Sequence, residues 1–337
     1  MNGYRVLFPA PREVVLEPQE FPPPGPGEVL LRTERTLIST GTELTALSGE
    51  FPPDSAWSRY IRYPVGVGYS HVGVVLAAGE GVQDVAAGHR VVSMAAHATH
   101  AIRSAASLWR LPEGLDPEPA TFAVLAEIVM GGIRRSRLQF GESVVIVGAG
   151  LLGQIAAHFC RTAGAWPVIV LDPAAGRLDT ARHLGATTAL ALTADAAREE
   201  VQRLTQGRMA DVVIEVTGNP IAFPGAVRLA RRLGRIVLLG SPRGPVTFDL
   251  HDEVHTFGLE IIGAHNSTHP PVETPHTPWT IGRHIALFLD WQAAGEIDLR
   301  PLITHRYPWR QAPEAFRMLL ADRSQALGVI LNWEADA

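Results

Sequence analysis

Residues 144 to 172 read VVIVGAGLLGQIAAHFCRTAGAWPVIVLD, and their glycines and closing aspartate stand at the spacing that a dinucleotide requires. Gly148 suits the tight turn after an apolar run, Gly150 lets the backbone approach a pyrophosphate, and Gly153 permits close helix–strand packing. The helix N-terminus, beginning at Leu151 and Leu152, offers amides to the phosphates. Asp172, followed by Pro173, ends the next apolar run, where a carboxylate accepts hydrogen bonds from the ribose hydroxyls and repels a 2′-phosphate. The expected cofactor is therefore NAD(H) in preference to NADP(H). Two plainer readings stay open: a fold that binds no nucleotide or another one, and an Asp172 that only caps the helix before PAAGRL.

Further candidates for cofactor contact follow from the same edge of the pattern. Arg177 is placed to stack on adenine or to lie in solvent. Thr217 and Gly218 follow DVVIEV, Gly240 and Ser241 follow RIVLLG, and Gly263, Ala264 and His265 follow LEIIGA. Each set lies just past a strand, and ligands bind at the carboxyl ends of the strands in an open α/β sheet.

These positions need a parallel sheet beneath them. VVIVG, PVIVLD, DVVIEV, RIVLLG and LEIIGA are continuous Val/Ile/Leu runs, the signature of strands buried on both faces, and helical patterns alternate with them. The segment PEPATFAVLAEIVMGGIRRSRL has helical spacing, with Pro117 and Pro119 at its start. Up to about residue 117 the chain is different: YRVLF, EVVLEP, EVLLRT, HVGVVLAAG and HRVVSM are short β-type runs split by Pro and Gly, suggesting an antiparallel, barrel-like domain. After residue 298 a helix and the run ALGVILNW suggest a return to that first domain. The expected division is thus 1–117 with 298–337, around a dinucleotide-binding domain at 118–297.

Composition removes several classes of chemistry. All 29 basic residues are arginine, so Schiff-base chemistry, a phosphate-binding P-loop lysine and a lysine general base are absent. A net charge of −5 without a basic run gives no footprint for nucleic acid or an anionic membrane. Cys160 is the single cysteine, which excludes an internal disulfide and a Cys-rich structural zinc lobe. The N-terminus does not read as a signal peptide, and the longest apolar stretch is too short to span a membrane. A cytoplasmic, soluble protein is expected.

GPGEVLLRTERTLISTGTEL, PVGVGYSHVGVVLAAGEGV, GHRVV, VVIVGAGLLG, DVVIEVTG, GRIVLLG and APEAFRML, in this order, resemble the medium-chain dehydrogenase/reductase superfamily, of the threonine and polyol dehydrogenase type. The resemblance covers nearly the whole chain. It implies a Rossmann domain, a GroES-like catalytic domain formed by both chain ends, and a substrate cleft between them. In zinc-bearing members C-G-T-D/E supplies a thiolate and G-H-E an imidazole. Here Thr40 stands at the cysteine, Tyr69 at the histidine, Ser70 at the glutamate, and Val124 at the third ligand. Neutral Thr, Tyr and Val do not replace Cys, His and carboxylate donors, so no zinc is expected. His71, His97, His100 and Glu127 are the residues from which a relocated metal site would have to be built.

Without a metal, protons and hydrogen bonds must handle the substrate oxygen. The resemblance places Thr42 at the hydroxyl that passes protons between substrate and nicotinamide ribose, and it aims Tyr69 into the cleft. It brings His97 to a substrate-facing loop and Glu127 to the cleft-side helix. His265, Asn266 and His269 form a polar loop suited to a polyhydroxylated substrate or to an exposed connection. The expected activity is zinc-independent hydride transfer between NAD(H) and a secondary alcohol or ketone, such as a sugar, cyclitol or other polyol, in a homodimer or homotetramer. Two alternatives are a quinone or enone reductase and an NAD-binding regulatory protein without catalysis.

Overall fold

The computed structural model describes residues 1–270 and 272–334. The chain divides into two compact units: Met1–Leu125 with Ile281–Ala337, and Ala126–Thr280. The division falls later than residue 117 and earlier than residue 298.

In the first unit, β1 (Asn2–Phe8), β2 (Val15–Glu20), β3 (Glu28–Ile38), β4 (Val65–Gly66), β5 (His71–Ala78), β6 (Arg90–Ser93), β7 (His100–Ser104) and β8 (Trp109–Arg110) carry the β-type runs. Short helices α1 (Thr42–Ser48) and α2 (Ala56–Tyr60) lie between β3 and β4. After β8 come α3 (Pro117–Ala120) and α4 (Ala123–Ser136). The single helix expected from residue 117 onward is two, and α3 begins where the Asp116 carboxylate accepts the Glu118 amide with Pro117 in the first turn.

The second unit contributes β9 (Val144–Val147), α5 (Leu151–Thr162), β10 (Val168–Leu171), α6 (Leu178–His183), β11 (Thr188–Leu190), α7 (Arg198–Leu204), β12 (Ala210–Glu215), α8 (Ala222–Val227), β13 (Ala230–Leu238) and β14 (Glu260–Gly263). The chain then returns to the first unit with α9 (Ile281–Ala293), β15 (Ile303–Pro308), α10 (Ala312–Ala321) and β16 (Gly328–Asn332). Among the described residues, no helix is long and apolar enough to cross a membrane.

The second unit is built on one sheet of order β11-β10-β9-β12-β13-β14, with every pairing parallel. Its central strands VVIV and VIVL are buried at every position, as strands covered on both faces must be. The first unit holds a mixed sheet and a smaller three-stranded one, β2-β1-β4. The expectation of an antiparallel domain needs one correction, because β15 and β16 pair in parallel. The antiparallel partner of β16 is β3, where Val329 faces Ile38. Phe8 packs edge-on against Phe316 at 5.1 Å in this core, and Trp309 stacks on Trp333 at 5.4 Å.

His71 on β5 sits inside the mixed sheet, with Nε2 3.1 Å from Thr33 Oγ1 and Nδ1 2.9 Å from Ser93 Oγ. Burial, then Arg103 and His97, push its pKa from 6.5 down to about 3. Protonation therefore favours the unfolded chain, whose imidazole keeps the higher value. The contribution of His71 is complete above pH 6.5 and is lost as the pH falls toward 3. Urea unfolding across that window should show stability falling by up to about 1.4 kcal/mol per pH unit from this group. His71→Gln should flatten that slope.

Candidate functional site

The glycine turn of the second unit is built as a cradle. Gly148 follows β9 with φ +110°, a conformation that favours glycine. A Cβ on Gly153 would lie 1.8 Å from the carbonyl oxygen of Gly148, so only glycine lets α5 start this close to the strand. A Cβ on Gly150, in contrast, would meet no protein atom within 4 Å, which leaves the approach to this backbone open. Gly150 is the N-cap of α5 and no side chain caps it, so the amides that open the helix point toward an anion site.

Asp172 closes this turn from the end of β10. Its Oδ2 accepts the Ala149 amide at 2.7 Å and its Oδ1 accepts the Ala174 amide at 2.8 Å. Ionised carboxylate oxygens keep further lone pairs, so these bonds leave acceptor capacity for ribose hydroxyls. Arg177 ends a short 3-10 turn just before α6, and its Nη1 lies 3.7 Å from Asp172 Oδ2. Gln154 pins the same region, donating to the carbonyls of Ala149 at 3.0 Å and Arg177 at 2.9 Å.

The remaining candidate loops all leave carboxyl ends of the same sheet. The Thr217 amide donates to Glu215 at 2.7 Å and its hydroxyl bonds that carboxylate too, while Gly218 has φ +65°. Gly240 has no room for a Cβ, which would come within 2.8 Å of the Gly218 amide. Ser241 follows it at the same edge. Ala264 is buried and donates its amide to the Leu238 carbonyl at 3.0 Å. His265 is exposed and turns back on Ser267. His269 is buried, and its Nδ1 is hydrogen-bonded to Glu127 Oε1 on α4. A Cβ on Gly131 would overlap this imidazole, so α4 has glycine where the ring packs.

In the first unit, Thr42, Tyr69 and Ser39 form a hydroxyl cluster. The Tyr69 phenol donates to Ser39 Oγ at 2.6 Å, and the nearby Thr42 hydroxyl works against burial by favouring the ionised phenol. Burial pushes the phenol up to about 12, and the Glu43 carboxylate adds to this by charge. At neutral pH Tyr69 is thus a hydrogen-bond donor and not a base. Thr40 lies beside the cluster, its carbonyl accepting from Arg323 Nη1 at 2.7 Å. Val124 is fully buried.

His97 is 0% exposed, and both ring nitrogens are engaged, Nε2 with Glu43 Oε2 and Nδ1 with Thr36 Oγ1, each at 2.8 Å. The geometry gives it inner partners, in the bend between β6 and β7. His71 and His100 bond other groups, and among the described residues His71, His97 and His100 join no group of metal-type donors, whereas Glu127, the fourth candidate, stands in such a group with His269. Ser39, Glu43 and Thr36 were not singled out by sequence reasoning. The only local signal was the Glu43 carboxylate four residues after Ser39, which reaches back to the Ser39 amide at 3.0 Å in the manner of a helix-start box.

The zinc-binding dehydrogenase family matches residues 152–276. The chain is 28% identical over 337 residues to an L-threonine 3-dehydrogenase of Pyrococcus horikoshii, covering 90% of this chain and 91% of that protein. Its fold is that of medium-chain alcohol dehydrogenase structures, with a parallel Rossmann-like sheet and a separate mixed sheet. A short chain alcohol dehydrogenase of Escherichia coli CFT073 complexed with NADH superposes with a TM-score of 0.82 at 21% identity, covering 98% of this chain and 99% of that one. A protein of Sinorhizobium meliloti 1021 described as a zinc-binding dehydrogenase and bound to NADP gives 0.81 at 21%, with the same coverage. These matches are to oxidoreductases of the alcohol dehydrogenase kind. Since one of the two structures holds NADH and the other NADP, the choice of cofactor has to be argued from this chain's own residues.

Proposed function

We propose that this dehydrogenase transfers hydride between NAD(H) and a secondary alcohol or its ketone, without zinc, and that the substrate is a sugar, cyclitol or similar polyol. The observation that carries the reading is the Thr42–Tyr69–Ser39 hydroxyl cluster at the place where zinc-bearing relatives would align their donors. Thr40, Tyr69, Ser70 and Val124 offer two hydroxyls, a phenol already bonded to Ser39, and a buried alkyl group. Zinc takes Cys, His and carboxylate donors, so this set does not fit it.

The cradle at Gly148–Gly153 fits a pyrophosphate, and Asp172 favours ribose hydroxyls over a 2′-phosphate. Bound there, NAD(H) supplies the hydride chemistry. The chain's part is to hold the phosphates on the opening amides of α5 and to turn the Tyr69 O–H, which rests on Ser39 in the free protein, onto the substrate oxygen as a hydrogen bond. A phenol is suited to stabilising charge that develops on that oxygen as the carbonyl is reduced. Thr42, which opens α1 close to the phenol, acts with Ser39 to orient it. The quinone or enone reductase reading asks for the same donor but is usually tied to NADPH, which Asp172 disfavours.

Three measurements test this. NADH should quench or enhance protein fluorescence at concentrations well below those required of NADPH, and a preference for NADPH would refute the Asp172 argument. Polyols with NAD should turn over where quinones and enones with NADH do not. Protein purified without added metal should contain zinc far below one ion per chain. Glu127 and His269 are both donor types that zinc takes, so stoichiometric zinc that Glu127→Gln removes would overturn the metal-free reading and move the metal to that pair. The homo-oligomer remains part of the proposal: β14 lies at the edge of the parallel sheet with Ile261 exposed, which is a surface on which a second copy could pair.

A further inference from the structure

Behind the hydroxyl cluster runs a chain of buried groups that binding a substrate does not by itself require. Trp333 Nε1 can only donate, and it donates to Thr36 Oγ1 at 2.8 Å. Thr36 Oγ1 and His97 Nδ1 share a hydrogen bond, and His97 Nε2 meets Glu43 Oε2, each at 2.8 Å. The other Glu43 oxygen accepts the Ser39 amide at 3.0 Å. Ser39 in turn accepts the Tyr69 phenol. Every member thus has a partner, and Glu43, 2% exposed, is engaged on both oxygens. Buried networks of this kind rigidify what they touch when every member is satisfied.

The same histidine also holds the segment that presents Tyr69. The His97 amide donates to the Val67 carbonyl at 2.8 Å. Gly68, between Val67 and Tyr69, has φ +107°, and a Cβ there would come within 2.5 Å of the His97 amide nitrogen. The two segments carrying Ser39 and Tyr69 are therefore both referred to one imidazole, the first through Glu43 and the second through the backbone.

We propose that Glu43, oriented by His97, is the positioning residue of this site: its carboxylate fixes the Ser39 turn and so fixes the direction in which Tyr69 presents its proton. The inference rests on the reading of Tyr69 as the donor to the substrate oxygen. The Glu43 charge also reinforces burial in keeping Tyr69 protonated.

The test compares Glu43→Gln, Glu43→Asp and Tyr69→Phe in the full-length protein by ultraviolet titration of tyrosinate and by carbonyl-reduction kinetics. Subtracting the Tyr69→Phe curve isolates Tyr69. In Glu43→Gln, Tyr69 should ionise about one pH unit lower, since a neighbouring negative charge is gone, and kcat should fall about tenfold or more through lost orientation, with NADH affinity unchanged. Glu43→Asp keeps the charge on a shorter stem, so its tyrosine titration should stay near that of the unmodified chain while kcat falls. A Glu43→Gln protein with the original titration and the original pH profile of kcat overturns the proposal. Should that variant fail to fold, an unchanged kcat in Glu43→Asp overturns it equally. If instead Tyr69→Phe leaves kcat intact while Glu43→Gln still shifts the titration, the failure lies in the reading of Tyr69 as donor and not in the Glu43 linkage.

Discussion

Gly153→Ala is expected to raise the dissociation constant for NADH about 10- to 100-fold, while Gly150→Ala should lose affinity without losing stability. The two glycines are separated by one turn yet are constrained by different things. A methyl group on residue 153 would stand 1.8 Å from the Gly148 carbonyl oxygen and 3.3 Å from Val216, so strand and helix must part to admit it. Overpacking of this kind costs about 1–3 kcal/mol, and each 1.4 kcal/mol is tenfold in affinity when the cradle is what moves. A methyl group on residue 150 touches no protein atom within 4 Å, so the fold has no reason to object. What it obstructs is the path of a pyrophosphate to the backbone. Thermal melts read the first effect and NADH titrations read both. Undiminished NADH binding by Gly150→Ala would mean that the dinucleotide does not lie on this turn.

Tyr69→Phe should lower kcat/KM about 100-fold or more, the effect of deleting one preorganised donor to a developing oxyanion. The aromatic ring and its packing are kept, and NADH affinity should not change. Because the phenol ionises only at about 12, the profile of kcat against pH should show no loss attributable to Tyr69 ionisation from neutrality to about two units below that value. Equal activity in the two proteins would show that Tyr69 is a packed hydroxyl with no part in the reaction.

The parallel sheet was legible because its strands announce themselves: a run such as VVIV can be buried on both faces only under helices. The glycine turn was legible for a similar reason, since three glycines after such a run answer to one geometry. The partners of Tyr69 were not. Ser39 lies thirty positions before it, and the Glu43–His97 contact joins residues fifty-four apart. No periodicity links residues that a folded sheet brings together, so His97 could be seen as an imidazole of the right region but not as one whose two nitrogens are already occupied. The pairing of Glu127 with His269 was hidden for the same reason, with 142 positions between them. The break between α3 and α4 was missed because apolar spacing runs through it uninterrupted.

The pairing of Ile38 with Val329 sets the timing of assembly during translation. At about 5–20 residues per second, the edge of β3 waits about 15–60 s for its neighbour to leave the ribosome. Residues 126–280 form a contiguous stretch that can close first. The nascent N-terminal segment is therefore the species on which a chaperone would act, and slowing its elongation would lengthen its exposure without disturbing the nucleotide fold.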